Sequence, residues 1–331
     1  MKKFYPLCLV LSIGLSSAAQ ITPIKSNFGD PQGVSLGSRV VFVNATTGEL
    51  GSTDGTPGGT VAIPTASMIL AGNNAALLNN KIIFPGFNAA TGTELYISDG
   101  TIAGSALVKD INPGPTSSNP QGSSEGFTIV NNTMYFTADD GVNGTELWKT
   151  DGTTVGTVLV KDLNAVAISF PTIMGPAIGN TLFFTVNTSG SGLELWKSDG
   201  TSGGTVMVKE ITAGIASTTF STMFVSNGTY MFFVANDGVS GAELWRSDGT
   251  TAGTILLSDI APGSAGSFDF SGITWNWNFH VKDNVLYFSP NNITGAKFYK
   301  TDGTPAGTSL VTDMNPSGGY VSLWDAIDWG G

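Results

Sequence analysis

The chain has 331 residues, a formal net charge of −11 and only 12% charged residues, against 41% hydrophobic residues and 44 glycines. So much apolar surface with so little charge excludes a disordered polyanion, and the composition is not that of a coiled coil or helical bundle. The acidic balance, with no basic run beyond Lys2-Lys3, excludes nucleic-acid binding by phosphate neutralisation.

From the N-terminus, Lys2-Lys3 precede an apolar run, Phe4 to Leu15, and the small residues Ser16-Ser17-Ala18-Ala19. This pattern predicts a secretory signal peptide over residues 1–19, cleaved after Ala19. The run is too short to span a bilayer, so no transmembrane segment is expected in the mature chain. The expected address is extracytoplasmic, either secreted or on the outer cell surface. The single cysteine, Cys8, lies inside this leader, which leaves the mature chain without disulfides, thiol chemistry or Cys-ligated metal. Residues 20–331 read as one domain.

An internal repeat organises that domain. Asp-Gly-Thr recurs at Asp54, Asp99, Asp151, Asp199, Asp248 and Asp302, at intervals of 45 to 54 residues. The period points to a propeller or a solenoid. Each unit is expected to hold four short strands. In the third unit these are Gly126–Val130, Thr133–Thr137, the Glu146-Leu147-Trp148 strand and Gly156–Asp162. Asn-Asn, Asp-Gly, Asp-Gly-Thr and Asn-Pro-Gly turns separate the strands. The reading is therefore all-β, a β-propeller of about six four-stranded antiparallel blades, with seven blades or an incomplete ring as alternatives. Ile21–Lys25 resembles an outer strand, and Tyr320–Ile327 resembles the first strand of a further unit.

In each Asp-Gly-Thr the Asp is expected to close an Asx-turn and the Gly to take positive φ. A second turn, Asp139–Glu146, offers Asp139, Asp140, Asn143 and Glu146 as oxygen ligands for calcium, although its spacing is far from that of an EF-hand loop. No other cofactor is expected. Trp148, Trp196 and Trp245, with Tyr96 and Tyr299, recur at one position per unit and read as packing residues. Trp275, Trp277 and Phe279 alternate ahead of His280, the one histidine, and are candidates for a stacking face for a sugar or another flat ligand. A lone histidine cannot build a His-rich zinc site, and no Gly-x-Ser-x-Gly elbow or phosphate loop is present.

The eight-residue stretches Glu146–Thr153, Glu194–Thr201 and Glu243–Thr250 resemble the signature of the ELWxxDGT repeat proteins, over about residues 33–315. The resemblance implies a secreted or surface-attached bacterial protein, often with a C-terminal sorting domain of the type IX secretion system. No such domain is seen before Gly331. The family implies no agreed activity, so no catalytic residue is carried over. The expectation is a non-enzymatic binding or adhesion module whose partner is a glycan or a surface protein. The alternatives are a secreted polysaccharide-acting hydrolase or lyase with acids at the channel mouth, and a structural cell-envelope component.

Overall fold

A computed structural model describes residues 21–22, 34–44, 50–63, 69–70, 75–122, 127–163, 171–173, 177–264, 266–269, 279–293 and 297–314. The predicted leader (1–19), Tyr320–Ile327, Trp275 and Trp277 lie outside the described residues. Regular structure among them is entirely β, in six antiparallel sheets, which is the expected all-β, propeller-like architecture. None of them forms a helix long and apolar enough to cross a membrane. The chain falls into two compact units, Met1–Asn119 with two sheets and Pro120–Gly331 with four.

The third sheet shows how the repeat folds. Thr128–Val130, Thr133–Asp139, Thr145–Thr150 and Val158–Lys161 pair in chain order. The first hairpin turns on Asn131 and Asn132, at φ 46° and 59°. Two consecutive left-handed residues make the turn whose twist matches an antiparallel pair, and Asn tolerates that region. Asn79-Asn80 and Asp283-Asn284 repeat the device.

A cross-strand aromatic pair sits at the centre of five sheets. Phe84 opposes Tyr96, Phe136 opposes Trp148, Phe184 opposes Trp196, Phe233 opposes Trp245, and Phe288 opposes Tyr299. All five phenylalanines are fully buried. Opposed aromatics at such positions stabilise a sheet beyond the area they bury. In the first sheet Phe42 opposes Gly51, and a Cβ at residue 51 would run into the Phe42 ring. The lost aromatic of that repeat is thus replaced by a ring from the neighbouring strand.

Register then shifts at one point in five sheets. Leu147 pairs with Lys161 but Trp148 pairs with Leu159, which leaves Val160 unopposed. The same bulge falls at Val108, Val208, Leu257 and Val311. A bulge re-aims its extra residue. Val108, Val160, Val208 and Leu257 are all buried, whereas Val311, on the outer strand of the last sheet (Ser309–Asp313), is 47% exposed. Within Pro120–Gly331 the bulged residue joins the core between successive sheets. Val160 packs with Leu182 and Phe184, and Leu257 packs with Leu286 and Phe288.

Two expectations change. Ile21–Thr22 does not form an outer strand: it pairs with Val43-Asn44 on Arg39–Asn44, at the edge opposite the outer strand Val61–Ala62. The first strand of a unit is also often interrupted. In the second sheet, Ile69–Leu70 and Ala76–Leu78 both pair with Lys81–Asn88.

Candidate functional site

The repeated carboxylates make up the chemistry that recurs, and they fall into two sets. The Asp-Gly-Thr set closes on itself. Asp199 Oδ1 accepts the Thr201 N–H at 2.8 Å and the Thr201 hydroxyl at 2.7 Å. Thr201 Oγ1 accepts the Gly204 N–H, and the Thr205 hydroxyl donates to the Thr201 carbonyl. The Gly200 N–H donates to Ser198 Oγ, which also bonds Thr205 Oγ1. The Asx-turn recurs in the other five copies, at Asp54, Asp99, Asp151, Asp248 and Asp302. The first glycine of each turn has φ between 84° and 93°. The second has another reason to be glycine: a Cβ at Gly204 would overlap the Asp199 carboxylate.

These turns also join sheets within the larger unit. Lys149 Nζ donates to the Gly200 carbonyl and Lys197 Nζ to that of Gly249. Lys161 and Lys209 reach the carbonyls of Thr205 and Thr254 in the same manner. Arg246 stands where Lys149 and Lys197 stand, and its guanidinium lies over the Tyr230 ring at 4.0 Å. Such a cation–aromatic contact replaces a hydrogen bond by attraction to the ring face.

The second set is the glutamate of each Glu-Leu-Trp or Glu-Leu-Tyr. Glu94, Glu146, Glu194 and Glu243 have no solvent exposure. Glu194 accepts the N–H groups of Ile211 and Thr212 at 2.8 and 3.2 Å and the Thr218 hydroxyl at 2.8 Å. Glu94 binds Ile111 N–H, Asn112 N–H and the Ser118 amide and hydroxyl. Glu243 binds Ile260 N–H, Ala261 N–H and the Ser267 hydroxyl. Each glutamate thereby holds the segment that leaves its own sheet's outer strand. Buried charge is tolerated only when several donors satisfy it. The sequence reading missed this clamp. Its one sequence trace is the hydroxyl 24 residues after Glu94, Glu194 and Glu243.

The two sets titrate in opposite directions. Burial holds the carboxyls of Glu94, Glu194 and Glu243 above the ordinary glutamate value of 4.5, against the pull of their hydrogen bonds. The Thr hydroxyl and then the Thr amide hold Asp151, Asp199 and Asp302 below the ordinary aspartate value of 3.8. The glutamates therefore add stability that is complete below pH 4.5 and is lost as pH rises through their raised values. The aspartates add stability that is present above pH 3.8 and is lost as pH falls through their lowered values. A melting-temperature scan is expected to rise from pH 7 down to the window between these two ordinary values, then fall in stronger acid. A steady fall from pH 7 to 4.5 would contradict this.

The predicted site residues are placed as follows. Asp139 Oδ1 accepts the Gly141 N–H. Asp140 accepts the N–H groups of Val142 and Asn143 and the Asn143 side-chain amide. Glu146 belongs to the clamp set and accepts the Leu163 N–H at 3.0 Å. Asp140 and Asn143 are thus brought together, while Glu146 reaches toward another segment. No group of three or more His, Cys, Asp or Glu among the described residues is arranged to hold a metal. Phe279 is half-buried, edge-on to Phe268 and Phe288 at 6.2 Å each, and packs into the core of the last two sheets. His280 opens the strand His280–Lys282 opposite Tyr287.

No protein-family model and no curated protein matches the chain. Among solved structures it is similar to AztD of Citrobacter koseri at 12% identity, covering 86% of this chain and 72% of that one, with a TM-score of 0.47. It is similar to a puromycin hydrolase S511A mutant complexed with PGG at 13% identity, covering 91% and 48%, with a TM-score of 0.44. Oligopeptidase B of Leishmania major follows at 12% identity, covering 83% and 40%, with a TM-score of 0.45. The chain thus spans about half or less of the length of these two hydrolytic enzymes. The fold is carried by the sheets themselves. The expectation of a non-enzymatic binding or adhesion module, with its polysaccharide-acting and cell-envelope alternatives, is corrected by these neighbours: puromycin hydrolase, oligopeptidase and prolyl endopeptidase recur among them. That reading is withdrawn.

Proposed function

We propose that this chain is a framework of the kind that accompanies a peptide-hydrolysing centre, and that its repeat carboxylates hold sheets together and do not move protons. One observation carries the reading: in both sets the chain's own amides and hydroxyls sit on a carboxylate oxygen. A general acid or base needs a carboxyl free to meet a substrate proton. Glu194 has three internal donors on it, and Asp199 Oδ1 has two. The peptidases among the structural neighbours supply the substrate class for the test and do not carry the reading.

The test compares the native protein with Glu194→Gln and Asp199→Asn. Both variants are expected to melt at lower temperature and to release nitroaniline from a panel of peptide p-nitroanilides at the wild-type level. A variant that abolishes measurable release while melting normally would give that carboxylate a catalytic role and overturn the reading.

A further inference from the structure

The sequence contains ten Asx-Gly dipeptides, eight Asp-Gly and two Asn-Gly. Such dipeptides share one intrinsic chemistry. The glycine nitrogen, deprotonated, attacks the side-chain carbonyl carbon of the preceding Asx. An N–C bond forms and the side-chain amide leaves as ammonia, or the carboxyl as water, to give a succinimide. Water then opens the ring at either carbonyl to leave an aspartyl or isoaspartyl residue. The attack requires the glycine N–H to be free of other partners and the side-chain carbonyl to be accessible.

The fold withholds the nucleophile at nine of the ten positions. In the six Asp-Gly-Thr turns the glycine N–H donates to the hydroxyl of the residue before the Asp, at 2.9 to 3.0 Å. The Asp oxygen in those turns is held by Thr, and an ionised carboxylate is a poor electrophile in any case. Gly141 N–H donates to Asp139 Oδ1, and Gly238 N–H donates to Asn236 Oδ1. At Asn227-Gly228, Gly228 N–H is held by Ser226 Oγ, and Asn227 Oδ1 accepts the amides of Thr229 and Tyr230. The Asn227 side-chain nitrogen is fixed as well, on the Asn284 carbonyl.

Asn143-Gly144 is different. Among the described residues no side chain accepts the Gly144 N–H. Among the described residues Asn143 bonds through its donors alone, the backbone N–H on Asp140 Oδ1 and the side-chain amide on Asp140 Oδ2 at 2.7 Å. Its carbonyl carbon, the atom under attack, belongs to the faster-reacting Asn type, because an amide is a better acyl electrophile here than a carboxylate. We infer that Asn143 is the site at which the folded protein undergoes spontaneous deamidation, and that the other nine Asx-Gly positions are protected by their turns. The product puts a carboxylate where a donor to Asp140 stood, so like charges face each other across the Asp139–Gly144 turn and the turn loosens.

The fifth sheet supplies the control within the same chain. Its matching turn, Asp237-Gly-Val-Ser-Gly241, has Ser240 at the position of Asn143, and the Ser240 hydroxyl donates to Asp237 Oδ2 at 3.3 Å. Asn143→Ser therefore keeps the donor and removes the reactive carbonyl. The experiment ages the intact native protein at mildly alkaline pH and follows tryptic peptides by mass spectrometry. Asn143 falls in the peptide from Asp110 to Lys149, and Asn227 falls in that from Glu210 to Arg246. The expected result is a gain of one mass unit, with isoaspartate, at Asn143 several times faster than at Asn227. In urea the two sites are expected to react alike, and Asn143→Ser is expected to abolish the native-state reaction at unchanged melting temperature. Equal rates at the two sites in the native protein, a faster native rate at Asn227, or no native reaction at Asn143 while the denatured chain reacts would each overturn the inference.

Discussion

Glu194→Ala is expected to lower the unfolding free energy by about 2 kcal/mol, because a buried donor left without an acceptor costs about 1–3 kcal/mol. Ile211 N–H loses its acceptor outright, while Thr212 N–H keeps Thr218 Oγ1 and the Thr218 hydroxyl is left with Thr212 Oγ1. Glu194→Gln keeps one acceptor oxygen but turns an amide toward donors, so a smaller loss is expected. Urea unfolding at unchanged slope measures both. A loss for Glu194→Ala no larger than that of an ordinary surface substitution would remove the clamp from the account. The effect is also expected to transfer to Glu94 and Glu243, which hold equivalent donors.

Phe233→Ala is expected to cost about 3–5 kcal/mol, the range for truncating a large buried aromatic. Phe233 has no exposure, opposes Trp245 across the strand pair and stacks on Phe224 at 5.3 Å. Leu310→Ala provides the contrast on the outer strand of the last sheet. Leu310 is 47% exposed, and its truncation is expected to stay within about 0.5 kcal/mol. Similar losses for the two variants would mean that the aromatic pairs do not form the core described here.

The strands and turns were legible because they rest on local chemistry. Asn131-Asn132 and the Asp-Gly-Thr turns need particular residues to reach left-handed backbone or to bond an amide two residues on, so the residues announce the turn. The recurrent tryptophans read correctly as packing residues. The bulge at Val160 was not legible, because a one-residue insertion changes the partner and not the composition of the strand. The glutamate clamp was hidden for another reason. Its partners are mainly backbone amides 17 and 18 residues away, and an amide leaves no mark on residue identity. Glu146 therefore looked like part of the turn at Asp139, when it reaches Leu163. Phe279 alternates with Trp275 and Trp277 in a strand pattern, and a strand pattern does not say which rings meet one another. Its half-buried ring meets Phe268 and Phe288 edge-on.

The central claim is that buried glutamates pin the segments leading out of the outer strands. Amide hydrogen exchange at Ile211 and Thr212 tests it most directly, since protection reports the free energy needed to open each bond. Both amides are expected to exchange slowly in the wild-type protein, close to the strand amides of Leu195 and Trp196; in Glu194→Ala, Ile211 is expected to lose that protection selectively and Thr212, still on Thr218 Oγ1, to lose less of it. Fast exchange at both positions in the wild type, at the rate of an unstructured loop, would contradict the account.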